Sequence, residues 1–158
     1  MIPKRIPVVL EIMRPVQWTK NFLLFAGLIF SGNLFHLKIG LKTLLAFLLF
    51  CLLSGVVYIV NDLVDVEKDK KHPRKCKRPL PSGRLSLRAA KIEGGFLCIL
   101  ALCASFLLNP SFGFVGSVYL LLNLGYTFCL KSIVLIDIIS LALLFVLRAV
   151  AGCVVIGV

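Results

Sequence analysis

Acidic residues are scarce in this chain, with seven Asp and Glu against 18 Lys and Arg in 158 residues. Also missing are a dinucleotide-binding glycine fingerprint, a P-loop, a zinc-ligand spacing and a nucleophile elbow, so redox cofactors and ATP hydrolysis have no support. The six cysteines, Cys51, Cys76, Cys98, Cys103, Cys129 and Cys153, form no Cys-x-x-Cys pair and fall mostly in apolar runs, where they act as small packing residues. His36 has no ligand-like neighbour in the sequence. No polar stretch is long enough to make a soluble domain, so the net charge of +11 does not point to nucleic acid.

What the chain has instead is apolar length. At 59% hydrophobic it carries more apolar sequence than one soluble core buries, which predicts an integral membrane protein of the all-α class. Five apolar segments, near 16–35, 42–61, 90–108, 111–130 and 133–156, approach the ~20 residues that a span needs and predict a polytopic helical bundle. The first is the weakest, because its uncharged stretch from Asn21 to Phe35 must borrow Arg14-Pro15-Val16-Gln17-Trp18 to cross; Trp18 and Lys20 would mark the interface. Ahead of it, Lys4 and Arg5 precede Pro7-Val8-Val9-Leu10, too short for a signal peptide and read as an interfacial segment. Ten basic residues lie between Lys68 and Lys91, whereas Lys38 and Lys42 stand alone on the opposite side. The positive-inside rule then places the N-terminus and the 62–91 region in the cytoplasm of a multi-pass cell-membrane protein, with the basic belt also drawing anionic membrane lipid.

The few acids are concentrated where the second span should leave the membrane. Asp62, Asp65 and Asp69 are spaced by three and four residues, which puts them in one stripe of a helix with Asn61 beside it and Glu67 on the far side. Carboxylates crowded in this way repel one another unless a cation sits among them, and hard oxygen ligands favour magnesium. Lys71, Arg74, Lys75, Lys77 and Arg78 follow at once, suited to neutralise a diphosphate bound through that metal. A charge run at a membrane exit is ordinarily a solvated loop; the one-face spacing next to a long apolar helix argues for a site. His72 either contacts substrate or ends the helix before Pro73. Asp137 and Arg148, eleven residues apart on nearly one face of the last segment, each need a partner, because ionisable groups at that depth are costly.

The motif Asn61-Asp62-x-x-Asp65-x-x-x-Asp69, followed by Arg78-Pro79-x-x-x-Gly83, resembles the first aspartate motif of the UbiA superfamily of intramembrane prenyltransferases. Arg14-Pro15-x-Gln17-Trp18-x-Lys20-Asn21 and His72-Pro73-x-Lys75-x-x-Arg78-Pro79 resemble more narrowly its decaprenyl-phosphate phosphoribosyltransferase branch, with weaker matches at Leu130-Lys131 and Leu147-Arg148-Ala149-x-Ala151-Gly152. The resemblance implies nine helices round a central cavity and two facing aspartate motifs, of which this chain carries the first and about five helices. The expectation is a single membrane domain, 1–158, with an aspartate and basic loop at 61–91. It would be the N-terminal part of a longer enzyme, completed by a C-terminal half or a homo-oligomer. Implied roles are catalysis and magnesium binding at Asp62, Asp65 and Asp69, and substrate binding at Lys20, Asn61, His72, Lys75, Arg78, Lys131 and Arg148. The implied reaction passes phosphoribosyl from 5-phosphoribosyl diphosphate to a polyprenyl phosphate. An aromatic or glycerol-phosphate prenyltransferase is the enzymatic alternative, and a non-catalytic lipid-binding membrane subunit the alternative of another class.

Overall fold

A computed structural model describes residues 7–128 and 134–158. Its elements are α1 (Val8–Ile12), a 3-10 helix (Pro15–Leu24), α2 (Phe25–Phe30), α3 (Leu37–Lys70), a short 3-10 turn (Lys75–Lys77), α4 (Leu87–Leu108), α5 (Pro110–Phe128) and α6 (Val134–Ile156). The helices α3, α4, α5 and α6 are long and apolar enough to cross a membrane. Their outer faces carry Phe96, Ile99, Leu107, Leu121, Ile138 and Ile139 exposed, side chains that lipid solvates and water would not.

The 34 residues of α3 extend about 50 Å at ~1.5 Å per residue, well beyond a hydrocarbon core of ~30 Å. Its last turns therefore project past the apolar layer, and these turns carry Asn61 to Lys70. The acidic half of the expected 61–91 loop is thus helical, and the connection to α4 is confined to residues 71–86. That connection is compact. Leu80 is buried, the Leu85 amide donates to the Pro79 carbonyl at 3.0 Å, and Gly83 takes a φ of +76° that a side chain would resist. Ser86 then caps α4, its hydroxyl accepting the Ala89 amide at 3.1 Å. Asn109 alone separates α4 from α5; its carbonyl oxygen Oδ1 accepts the Phe112 amide at 3.1 Å, and Pro110 fills the first helical position, where no amide hydrogen is needed.

The expected first span, 16–35, is not one α-helix. It consists of the ten-residue 3-10 helix, then α2, and the chain turns at Ser31 and Gly32. Three residues per turn stack Trp18, Asn21 and Leu24 along one edge, and this edge, with Asn21 and Leu24 fully buried, faces the bundle. Of the segment expected at the interface, Val9 and Leu10 are exposed; just after it Ile12 and Met13 are buried with Ile59, Val66, Leu80 and Ala90, which ties the N-terminal segment to the bundle.

α3 touches every other helix, from α1 to α6, and forms the axis of the bundle. Phe50, Leu53 and Val57 of α3 pack with Ala101 of α4, Phe112 and Tyr119 of α5, and Leu144, Ala151 and Val155 of α6. α6 also closes on the N-terminal segment, where a Cβ added at Gly152 would lie 1.9 Å from the Leu24 carbonyl oxygen. Only a residue without a side chain permits that crossing.

Candidate functional site

The projecting end of α3 brings Asp62 and Asp69 onto one buried line, each only 2% exposed, with Asp65 half-buried between them. Glu67 points away and pairs with Lys70 at 2.7 Å on the exposed side. Spacing of seven residues is two helical turns, which is why the two outer aspartates align. They share a cation: Arg78 Nη1 donates to Asp69 Oδ2 at 2.5 Å and to Asp62 Oδ1 at 3.4 Å. Lys75 Nζ lies 3.7 Å from Asp69 Oδ1, and the Arg14 guanidinium pairs with Asp62 while stacking 5.0 Å over the Tyr58 ring. Buried carboxylates tolerate this position because three cations from two other segments surround them.

Arg14 reaches Asp62 from a left-handed backbone, φ 52°, just before Pro15 opens the 3-10 helix. A non-glycine residue in this region carries a local cost that the surrounding contacts must offset. On the outer side, Arg84 donates to both carboxylate oxygens of Glu11, at 2.8 and 2.7 Å, tying α1 to the basic loop. Those hydrogen bonds hold the Glu11 carboxyl below its ordinary value.

The donor set suits a hard cation, since two buried carboxylates already converge on one positively charged nitrogen. Among the described residues no three acids, histidines or cysteines close round a point, so a cation placed here would need further oxygens from its ligand. His72 serves the turn: its Nδ1 accepts the amides of Arg74 at 3.2 Å and Lys75 at 3.3 Å. Asn61 accepts the Thr127 hydroxyl, which fixes the start of the motif against α5. Lys131 lies outside the described residues.

Inside the bundle a second polar centre has formed. Arg148 of α6 is 6% exposed and donates through Nε to Asn21 Oδ1 at 3.0 Å, through Nη1 to the Leu144 carbonyl at 2.7 Å, and through Nη2 to the Tyr119 hydroxyl at 2.9 Å. Ser54 of α3 lies 3.3 Å from both Asn21 Oδ1 and the Tyr119 hydroxyl. Three segments therefore meet at one guanidinium, and α3 joins them through Ser54. Lys20, exposed at the mouth, lines a pocket of about 150 Å³ with Arg148, Tyr58, Asn61, Asn123 and Tyr126. Asp137 accepts the Tyr126 hydroxyl at 2.7 Å, which supplies the partner that its depth demands.

Of the residues expected to bind substrate, the structure gathers Lys75 and Arg78 at the carboxylates and Lys20, Asn61 and Arg148 round the inner pocket. Sequence reasoning assigned no role to Arg14, Asn21 or Tyr119. Arg14 and Asn21 did stand in a motif of their own, Arg14-Pro15-x-Gln17-Trp18-x-Lys20-Asn21; Tyr119 carried no signal, being an aromatic residue in an apolar run.

Residues 21–158 match the UbiA prenyltransferase family. A decaprenyl-phosphate phosphoribosyltransferase of Corynebacterium glutamicum is 36% identical over 153 residues, covering 94% of this chain and 46% of that protein. This chain thus spans less than half the length of that relative. The structure of a digeranylgeranylglyceryl phosphate synthase superposes with a TM-score of 0.81 at 28% identity, over 92% of this chain and 51% of the synthase. A UbiA homologue from Archaeoglobus fulgidus bound to DMAPP and Mg2+ shares the fold, with a TM-score of 0.76 at 24% identity, over 95% of this chain and 55% of the homologue.

Proposed function

Because the chain belongs to the UbiA prenyltransferase family, we propose that the α3 carboxylates receive the diphosphate of an activated donor, and that the protein of which they are part transfers phosphoribosyl to a polyprenyl phosphate. The observation that carries this reading is the single Arg78 nitrogen bonded to both Asp62 and Asp69, since it marks the point on which two buried carboxylates and the basic loop converge. The Archaeoglobus homologue was solved with DMAPP and Mg2+, and magnesium at the α3 carboxylates would supply a Lewis acid for a departing diphosphate. Asp62, Asp65 and Asp69 would hold it. Arg14, Lys75 and Arg78, which stand beside the same carboxylates, would bind the diphosphate oxygens, and their charge would stabilise the leaving group as its bond to carbon lengthens. Phosphoribosyl is favoured as the transferred group by the phosphoribosyltransferase relative, which matches nearly the whole chain.

A second reading, prenyl transfer to a glycerol phosphate, is favoured by the superposition on the digeranylgeranylglyceryl phosphate synthase. Membranes containing the complete protein, given labelled 5-phosphoribosyl diphosphate or geranylgeranyl diphosphate in turn, separate the two. Label from the first donor is expected in polyprenyl phosphate, lost on chelation of magnesium and lost in Asp65→Asn with membrane insertion unchanged. Turnover of Asp65→Asn at the parental rate would remove the metal assignment, and incorporation from the prenyl donor alone would replace the first reading by the second.

A further inference from the structure

Every described partner of Arg148 is neutral. Its bonds run to Asn21, Tyr119 and the Leu144 carbonyl, and its guanidinium carbon stands 5.0 Å from the Tyr119 ring and 5.3 Å from the Phe145 ring. These contacts satisfy three of the five N–H groups that arginine carries and leave its charge without a carboxylate among the described residues. The pocket beside it adds a second cation, Lys20, and no acid to its lining. Two positive charges facing one cavity within a membrane bundle are stabilised by an anion. The cavity holds about 150 Å³, several waters' worth at ~30 Å³ each, and runs from Arg148 to Asn61, the residue before Asp62. Ser54, in the Arg148 centre, lies two turns or about 12 Å down α3 from Asp62, so the two charge centres are separate yet joined by the same pocket.

The surface next to the pocket names the source of such an anion. An apolar groove of about 570 Å³, lined by Phe22, Leu23, Ala26, Ile29 and Phe30, shares Lys20 and Phe145 with the pocket. An anionic end on a hydrocarbon chain fits both halves at once.

We propose that Arg148 and Lys20 form a subsite for a lipid phosphate monoester, its phosphate in the pocket and its chain along the groove of Phe22 to Phe30. This rests on the proposed function and gives its acceptor a place distinct from the carboxylates that take the donor. The phosphate binds here without metal. It is oriented by the two N–H groups of Arg148 that the described contacts leave over and drawn in by the Lys20 ammonium at the mouth.

The complete protein in nanodiscs of neutral lipid, with EDTA present, tests this by thermophoresis against farnesyl phosphate, farnesol and inorganic phosphate. Farnesyl phosphate is expected to bind, with the other two at least tenfold weaker. Lys20→Gln, at an exposed side chain, is expected to weaken farnesyl phosphate binding several-fold with an unchanged melting temperature, and Arg148→Gln to abolish it. Parental affinity in Lys20→Gln and Arg148→Gln, loss of binding on adding EDTA, or equal binding of farnesol would each overturn the subsite. Equal binding of inorganic phosphate would overturn its assignment to a lipid. Because the readout needs neither metal nor donor, its failure is distinct from a failure of turnover in Asp65→Asn.

Discussion

Asp62 is buried, paired with Arg14 and shared with Arg78. Arg14→Gln removes its nearer cation and leaves Arg78 at 3.4 Å, so we expect the protein to lose about 1–3 kcal/mol, discounted from a fully buried pair because the Arg14 side chain is 28% exposed. Thermal unfolding in detergent measures this; a melting temperature equal to that of the parent would show that the pair is not structural. Arg14→Asn separates charge from backbone, since asparagine accepts the left-handed φ that Arg14 holds. The sequence pointed to Asp62 through its spacing to Asp65 and Asp69, a local signal within one helix. It was silent on the Arg14 pair because the partners are 48 positions apart, and only the fold brings them together.

Hydropathy places α4, α5 and α6 to within a few residues, because a span is defined by apolar length, and it finds the apolar body of α3 but not the polar turns that carry this helix on to Lys70. It misplaces the first segment. A window average has no sense of a three-residue period, and Pro15 with the buried edge Trp18, Asn21 and Leu24 yields a 3-10 helix where apolar length alone predicts an α-helix. What sets the position of this helix is Gly152, whose missing side chain admits the Leu24 backbone. Gly152→Ala must push the two apart and stretch the 3.0 Å bond between Arg148 and Asn21, for an expected loss of about 1–3 kcal/mol. Detergent melting curves check it, and the same substitution at Gly125, where no atom lies within 4 Å of the added Cβ, serves as the tolerant control.

Across the whole molecule, charge sorts by end. The aspartates, Arg14 and the basic loop gather at one end of α3, and Lys38 and Lys42 stand at the other. The excess of Lys and Arg at the first end predicts that it faces the cytoplasm, in which case a cysteine probe from Ser82→Cys, in a background cleared of native cysteines, should react with an impermeant reagent only after the membrane is opened. Reaction in intact cells would reverse the orientation and place the donor outside. One feature joins the two charge centres whatever the orientation. The 3-10 helix holds Arg14 against Asp62 near one end and Asn21 against Ser54 further along, and its seven steps from 14 to 21 cover about 14 Å at ~2.0 Å each, close to the ~12 Å between Ser54 and Asp62 on α3. Wound as an α-helix, the same steps would cover only ~10.5 Å. The segment works as a gauge block laid along α3, and its length is the dimension that keeps the Asp62 and Arg148 centres in register.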